Sequence, residues 1–239
     1  MKFSLFSVFL ILHISAFSQN LQLHYDFRHS IDPKLNPGNY PTFSFEYFKN
    51  ADTLGTGSFL LKLQTDLNGK NNNVGQCFVQ ASKSLKFWDP NVYLYLTYSG
   101  GLGVTPSSFG YYLYNSYGVG VSTLLFWNGV WIVPSVCFRV NAFDRPSYDP
   151  QFTIYFGRGF INYKVFTAGS FTFWTQNRNK GHDYAKDLEG KKFVFFGDPQ
   201  IWVKIKNKFS VGSRINIYYN LLSENQIQVY PTFGIKHLF

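Results

Sequence analysis

Ionisable and hydrogen-bonding side chains recur at every second position in several stretches of this chain: His24, Asp26 and Arg28; Lys62, Gln64 and Asp66; Arg214, Asn216 and Tyr218. Sets of this kind could do three sorts of chemistry. A histidine near a carboxylate, as in His24 and Asp26, could act as a base for a nucleophile, but catalysis would need a serine beside it. The sequence sets none there, so polar lining or a salt bridge is the expected role and no enzymatic activity is expected. Metal binding would need clustered ligands. The mature histidines (His24, His29, His182, His237) and the cysteines Cys77 and Cys137 are dispersed, so neither a metal nor any other cofactor is expected. The Gly100-Gly101-Leu102-Gly103 turn lacks the following Lys-Ser/Thr and helix of a phosphate loop. The third chemistry is hydrogen bonding and ring stacking inside a confined aqueous space, and it suits this residue set best.

Period-two placement requires strands, because successive side chains of a strand point to opposite faces. The last segment shows the pattern most clearly. From Ile227 to Phe239 the odd positions are Ile, Val, Pro, Phe, Ile, His and Phe, and the even ones Gln, Tyr, Thr, Gly, Lys and Leu. The same alternation sets Leu21, Leu23, Tyr25 and Phe27 against Gln22, His24, Asp26 and Arg28. It sets Phe43, Phe45 and Tyr47 against Ser44, Glu46 and Phe48, and Ile201, Val203 and Ile205 against Asp198, Gln200 and Lys204. Strands are expected over 20–29, 40–49, 57–66, 74–86, 91–100, 110–121, 129–141, 150–157, 164–176, 193–205, 209–220 and 226–239. That makes twelve, the even number that returns both chain ends to one side of a membrane. The odd-numbered connections, such as 29–38 and 177–192, are mostly the longer ones and rich in Asn, Gly, Pro and Asp.

Composition points the same way. Aromatic residues make up 21% of the 239 residues, with 27 Phe and 17 Tyr, while charged residues make up only 15%. A dozen strands with large aromatic or branched faces carry more apolar surface than one sandwich core can bury. Turned toward lipid, that surface needs no core. No stretch after the first residues approaches the apolar length of a spanning helix. Those first residues, with Lys2, an apolar run from Phe3 to Ile14 and Ala16-Phe17-Ser18, have the layout of a secretory leader cut after Ser18. The expected organisation is therefore a leader over 1–18 and a single barrel over 19–239. The formal charge of +9 comes from scattered Lys and Arg without a nucleic-acid module. It implies contact with anionic headgroups or anionic solutes, and no nucleic acid. Cys77 and Cys137 fall on separate strands and are expected to be free, packed thiols.

The segments QNLQLHYDFR (19–28), NYPTFSFEYFK (39–49), LQTDLNG (63–69), YSGGLG (98–103) and FFGDPQIWVKI (195–205) resemble a Bacteroidetes family of uncharacterised outer-membrane barrels, DUF5020-like, related to the Tsx nucleoside-channel superfamily. The resemblance to that family spans the mature chain. That to the nucleoside channels is looser, resting on the strand count, the Phe45-Glu46-Tyr47 segment and the aromatic C-terminus. It implies a narrow, monomeric barrel that lets nucleosides cross the outer membrane down their gradient.

The expected fold is thus an all-β, twelve-stranded antiparallel transmembrane β-barrel of the outer-membrane type, with N- and C-termini periplasmic, surrounded by membrane lipid and lipopolysaccharide. The expected function is a passive channel for small solutes, nucleosides among them. A structural or surface-interaction barrel with a plugged lumen is the alternative, and a lipid-modifying enzyme the third reading. The expected lumen-lining residues are His24, Asp26, Arg28, Glu46, Lys62, Gln64, Asp66, Arg139, Trp174, Asp198, Lys204, Arg214, Asn216, Tyr218 and Tyr230, with Gln176 and Lys236 on the same faces.

Overall fold

A computed structural model describes residues 18–239, apart from 50–56, 87, 89, 90, 106–108, 182–186, 223 and 224. The expected leader, except for Ser18, and the loop residue His182 lie outside the described residues.

Alternating polar and apolar residues produce one antiparallel sheet of β1 (Ser18–Asp26), β2 (Tyr40–Lys49), β3 (Phe59–Asp66), β4 (Gln76–Leu85), β5 (Val92–Val104), β6 (Gly110–Thr123), β7 (Leu125–Trp127), β8 (Val130–Asn141), β9 (Ser147–Phe160), β10 (Val165–Asn177), β11 (Lys191–Gly197), β12 (Gln200–Lys206), β13 (Phe209–Tyr219) and β14 (Ile227–Leu238). β6 and β7 are one strand broken at Leu124, since both pair with β8. β11 and β12 are likewise one strand broken at Asp198-Pro199, since both pair with β10 and β13. Counted this way there are twelve strands, each paired with its sequence neighbours. β14 pairs with β1 from Asn20↔Leu238 to Asp26↔Thr232, so the sheet closes into a barrel.

The break at Asp198-Pro199 has a local cause. Proline has no N–H for the ladder. The Asp198 carboxylate instead accepts from the Ser170 backbone N–H and hydroxyl, both at 2.7 Å, which ties the interruption to β10. Between β7 and β8, Asn128 and Gly129 take φ of 48° and 78° and form the two-residue hairpin turn that such a pair favours.

Closure fixes which face is inside. On β1, Leu21, Leu23 and Tyr25 are 42%, 36% and 45% exposed, while Gln22, His24 and Asp26 are 1%, 0% and 2% exposed. On β14, Val229, Phe233 and Ile235 are exposed and Gln228, Tyr230 and Thr232 buried. The outside is therefore apolar and the inside polar, the reverse of a water-soluble protein. Aromatic pairs run across neighbouring strands on the outer face: Phe173 lies 4.8 Å from Phe195 and 6.3 Å from Phe152, centroid to centroid. Cys77 is exposed on the outer face and Cys137 buried on the inner one. Both are free, as expected, but Cys77 is not packed. Among the described residues no helix is long and apolar enough to cross a membrane.

Several strand boundaries differ from the sequence expectation. The first strand ends at Asp26 rather than 29, because the Asp26 carboxylate accepts the Arg28 backbone N–H at 2.9 Å and turns the chain into the short helix α1 (Arg28–Ile31). The fifth strand continues to Val104, through glycines that read as a loop. β9 begins at Ser147 and takes in Tyr148 and Asp149, which read as a turn.

Inward-facing glycines leave room for large polar rings. A Cβ on Gly234 would sit 2.7 Å from His24 Nδ1. The Gly234→Val variant should lose about 1–3 kcal/mol of stability, checked by urea unfolding of the refolded barrel followed by tryptophan fluorescence.

Candidate functional site

The interior holds the chemistry-bearing residues in three groups. The first lies at the end of the barrel that carries the long connections. There α1 follows β1 directly and brings Arg28 inward, where its Nη2 meets Asp26 Oδ2 at 2.8 Å. The guanidinium sits 4.8 Å from the Tyr40 ring, 5.2 Å from Tyr230 and 6.0 Å from Tyr218. Asn36, in the turn after α1, donates to the Tyr230 hydroxyl at 3.1 Å and fastens this connection over the barrel mouth. Next to it Asp66 accepts from Thr42 Oγ1 at 2.9 Å and from Gln64 Nε2 at 3.0 Å.

The second group crosses the barrel. Lys62 on β3 reaches Glu46 Oε1 on the adjacent β2 at 3.5 Å, and Asp198 Oδ2, at the break between β11 and β12, at 3.2 Å. Four strands (β2, β1, β14 and β13) separate β3 from that break along the sheet, so the Lys62–Asp198 pair spans the lumen. Gln80 on β4 makes a similar crossing, donating to the Tyr155 hydroxyl on β9 at 2.9 Å. Arg214 on β13 donates to Ser44 on β2 at 3.4 Å, and the Asn216 side chain is buried beside it on the same inner face. His24 donates from Nε2 to Gln22 Oε1 at 2.8 Å, and its Nδ1 lies 2.9 Å from Thr232 Oγ1. The Trp202 ring meets His24 edge-on at 5.5 Å, and Lys236 Nζ lies 4.4 Å from the same indole.

The third group occupies the wall formed by β6, β8, β9 and β10. Arg139 Cζ lies 5.1 Å from the Trp174 ring and 5.7 Å from Tyr114, and Nη1 donates to Gln151 Oε1 at 3.1 Å. The Trp174 indole N–H donates to Gln176 at 3.2 Å. Asp149 is fully buried and accepts from Thr175 at 2.8 Å and from Lys191 at 2.9 Å. In the loop after β10, Lys180 stands 4.9 Å from the Phe143 ring. Burial, with the charges of Lys192 and Arg139 nearby, pushes its ammonium down to about 8.

Every expected lumen residue except Lys204 is buried or half-buried; Lys204 is exposed at the short-turn end. His24 and Asp26 do not pair, because Asp26 is engaged by Arg28 and the imidazole by Gln22 and Thr232. Arg28 belongs to α1 rather than to the polar face of the first strand. Sequence reasoning passed over Asp149, Tyr114, Trp202, Tyr155 and Gln80. The alternation of Gln76, Phe78, Gln80, Ser82 and Ser84 with outward residues would have revealed the β4 set, since serine and glycine fill inner positions there.

The family described as a domain of unknown function, DUF5020, matches residues 18–239. No curated protein matches the sequence. Among solved structures, the NanC porin is 9% identical over 92% of this chain and 98% of that one, with a TM-score of 0.54. LpxR from Salmonella typhimurium is 10% identical over 93% of this chain and 100% of that one, at 0.48. OmpT, an outer membrane protein of Vibrio cholerae, is 6% identical over 94% of this chain and 98% of that one, at 0.45. At this identity the likeness to the NanC porin speaks for the fold alone.

Breaking a partly buried ion pair leaves its partner uncompensated. Lys62→Met should destabilise the barrel by about 2 kcal/mol, less than a fully buried pair would lose. Asp198→Asn in the same chain should recover part of that loss in urea unfolding. Carbon-13 dimethylation of the lysines should show a resonance that loses its proton as pH rises through about 8 and that disappears in Lys180→Gln.

A closed twelve-stranded antiparallel sheet with an apolar exterior and a polar interior is the architecture of outer-membrane barrels, and the chain belongs to the DUF5020 family.

Proposed function

We propose that this protein is a monomeric outer-membrane channel that lets small polar solutes, nucleosides among them, cross passively. In this reading the leader exports the chain and the apolar belt contacts lipid and lipopolysaccharide. The long connections face outward and both termini face the periplasm.

The supporting observation is residual space deep in the barrel. The side chains of Lys62 and Glu46 keep 19% and 20% exposure, although Gln22 and Ser44 on adjoining strands are buried. Tyr114, Tyr155 and Tyr218 are likewise half-buried on the inner face. The interior thus keeps space beside these groups, with rings on its walls. Stacking on such rings contributes about 1–3 kcal/mol per base, enough for selectivity without trapping. The nucleoside part rests on the sequence resemblance alone, and no residue-level motif carries it.

A second reading, a structural barrel with a plugged lumen, has its own support. The Lys62–Asp198 and Gln80–Tyr155 contacts cross the interior, and the connection pinned by Asn36 and Tyr230 covers one mouth.

Single-channel recording in planar bilayers separates the two. A passage this narrow should give small, steady conductance steps that nucleosides reduce and glucose leaves unchanged. Correctly folded protein without conductance would overturn the channel reading and leave the plugged barrel.

A further inference from the structure

Arg139 is a buried charge with no ion pair among the described residues. It is 5% exposed, and its Nε is buried without a hydrogen-bond partner. Its guanidinium has one polar contact, Gln151, and two ring neighbours, Tyr114 and Trp174. The adjacent carboxylate that could have neutralised it, Asp149, is turned to Thr175, Ser147 and Lys191. Among the described residues no carboxylate lies within ion-pair reach of Arg139 or of Lys180. Removing a cation from water without an anion is costly, and buried cations are ordinarily paired.

Arg139 is also placed to receive a ligand. It lies two residues from the end of β8, on the layer just below the long-connection mouth. Lys180 stands in the loop above, tied to the connection that follows β8: its carbonyl accepts the Arg145 backbone N–H at 3.0 Å and its ammonium lies 4.9 Å from the Phe143 ring. Two cations beside aromatic rings, with no carboxylate in ion-pair reach among the described residues, make an anion site. A guanidinium is suited to carboxylate and phosphate because its donors form a planar fork.

We infer that Arg139 and Lys180 form a binding site for the anionic group of a small solute, a carboxylate or a phosphate, at the long-connection mouth of the lumen. This rests on the channel reading and narrows its solutes to those with a negative charge. The site would draw acids into the barrel, while Tyr114 and Trp174 border the position of the attached group.

The test compares acids with their neutral counterparts on the purified barrel in detergent. AMP is paired with adenosine, and glucuronate with glucose, with binding read by saturation-transfer NMR. Charge-assisted hydrogen bonds predict that each acid binds about tenfold more tightly than its neutral twin. A preference for AMP alone would identify phosphate as the ligand, and one for glucuronate alone carboxylate. Arg139→Gln should abolish the preference, Arg139→Lys should restore part of it, and Lys180→Gln, outside the strands, should reduce it about threefold. Equal affinity for acids and neutral twins would overturn the site, as would a preference that survives both Arg139→Gln and Lys180→Gln. Should Arg139→Gln fail to fold, an unchanged preference in Lys180→Gln would overturn it as well. A barrel that prefers acids yet carries no current would support the site and sink the channel.

Discussion

Everything else in this molecule follows from the pairing of β14 with β1. A sheet that ends on itself has no edge, so every backbone donor and acceptor of the strands can be met within the ladder. The closed cylinder then sorts side chains by the pleat alone. One residue of each successive pair goes outward and the next inward, around the full circumference. A shift of one residue in any pairing would send Leu23 inside and His24 outside, so the register is strongly specified.

The inner face creates the second problem, which is how to hold charges away from bulk water. The barrel solves it unevenly. Asp26 and Arg28 pair beside three tyrosines, and Lys62 is shared between Glu46 and Asp198. Such pairs recover part of the cost of desolvation and also fix geometry, because a bridge between distant strands sets the lumen's width. Arg214 and Arg139 have neutral partners, Ser44 and Gln151, in place of carboxylates. The interior is thus a polar filling in which some buried donors, the Nε groups of Arg139 and Arg214 among them, have no hydrogen-bond partner among the described residues.

Much of this could be read from the sequence, for reasons tied to distance along the chain. Alternation is local, so the faces of β1, β2, β3, β12, β13 and β14 were legible, and with them the barrel itself. What could not be read was who meets whom across the lumen. Lys62 and Asp198 are joined by neither spacing nor motif, only by closure of the sheet. Asp149 escaped because Ser-Tyr-Asp-Pro has the composition of a turn; in the barrel, pairing with both β8 and β10 overrides that local preference. Arg28 was assigned its inward direction correctly but the wrong element, since an aspartate that caps its own strand end leaves no period to detect.

The seam between the first and last strands also has a kinetic meaning. Asn20 and Leu238 are neighbours in space but lie about 200 positions apart along the chain, among the longest-range contacts a chain of this length can make. Folding slows as contacts become more distant in sequence, since loop closure must precede the contacts that reward it. The twelve strands can therefore zip up as a curved, open sheet well before the cylinder exists. Until β14 arrives, β1 presents a row of unsatisfied backbone groups, and the closing step makes the lumen and removes that exposed template together.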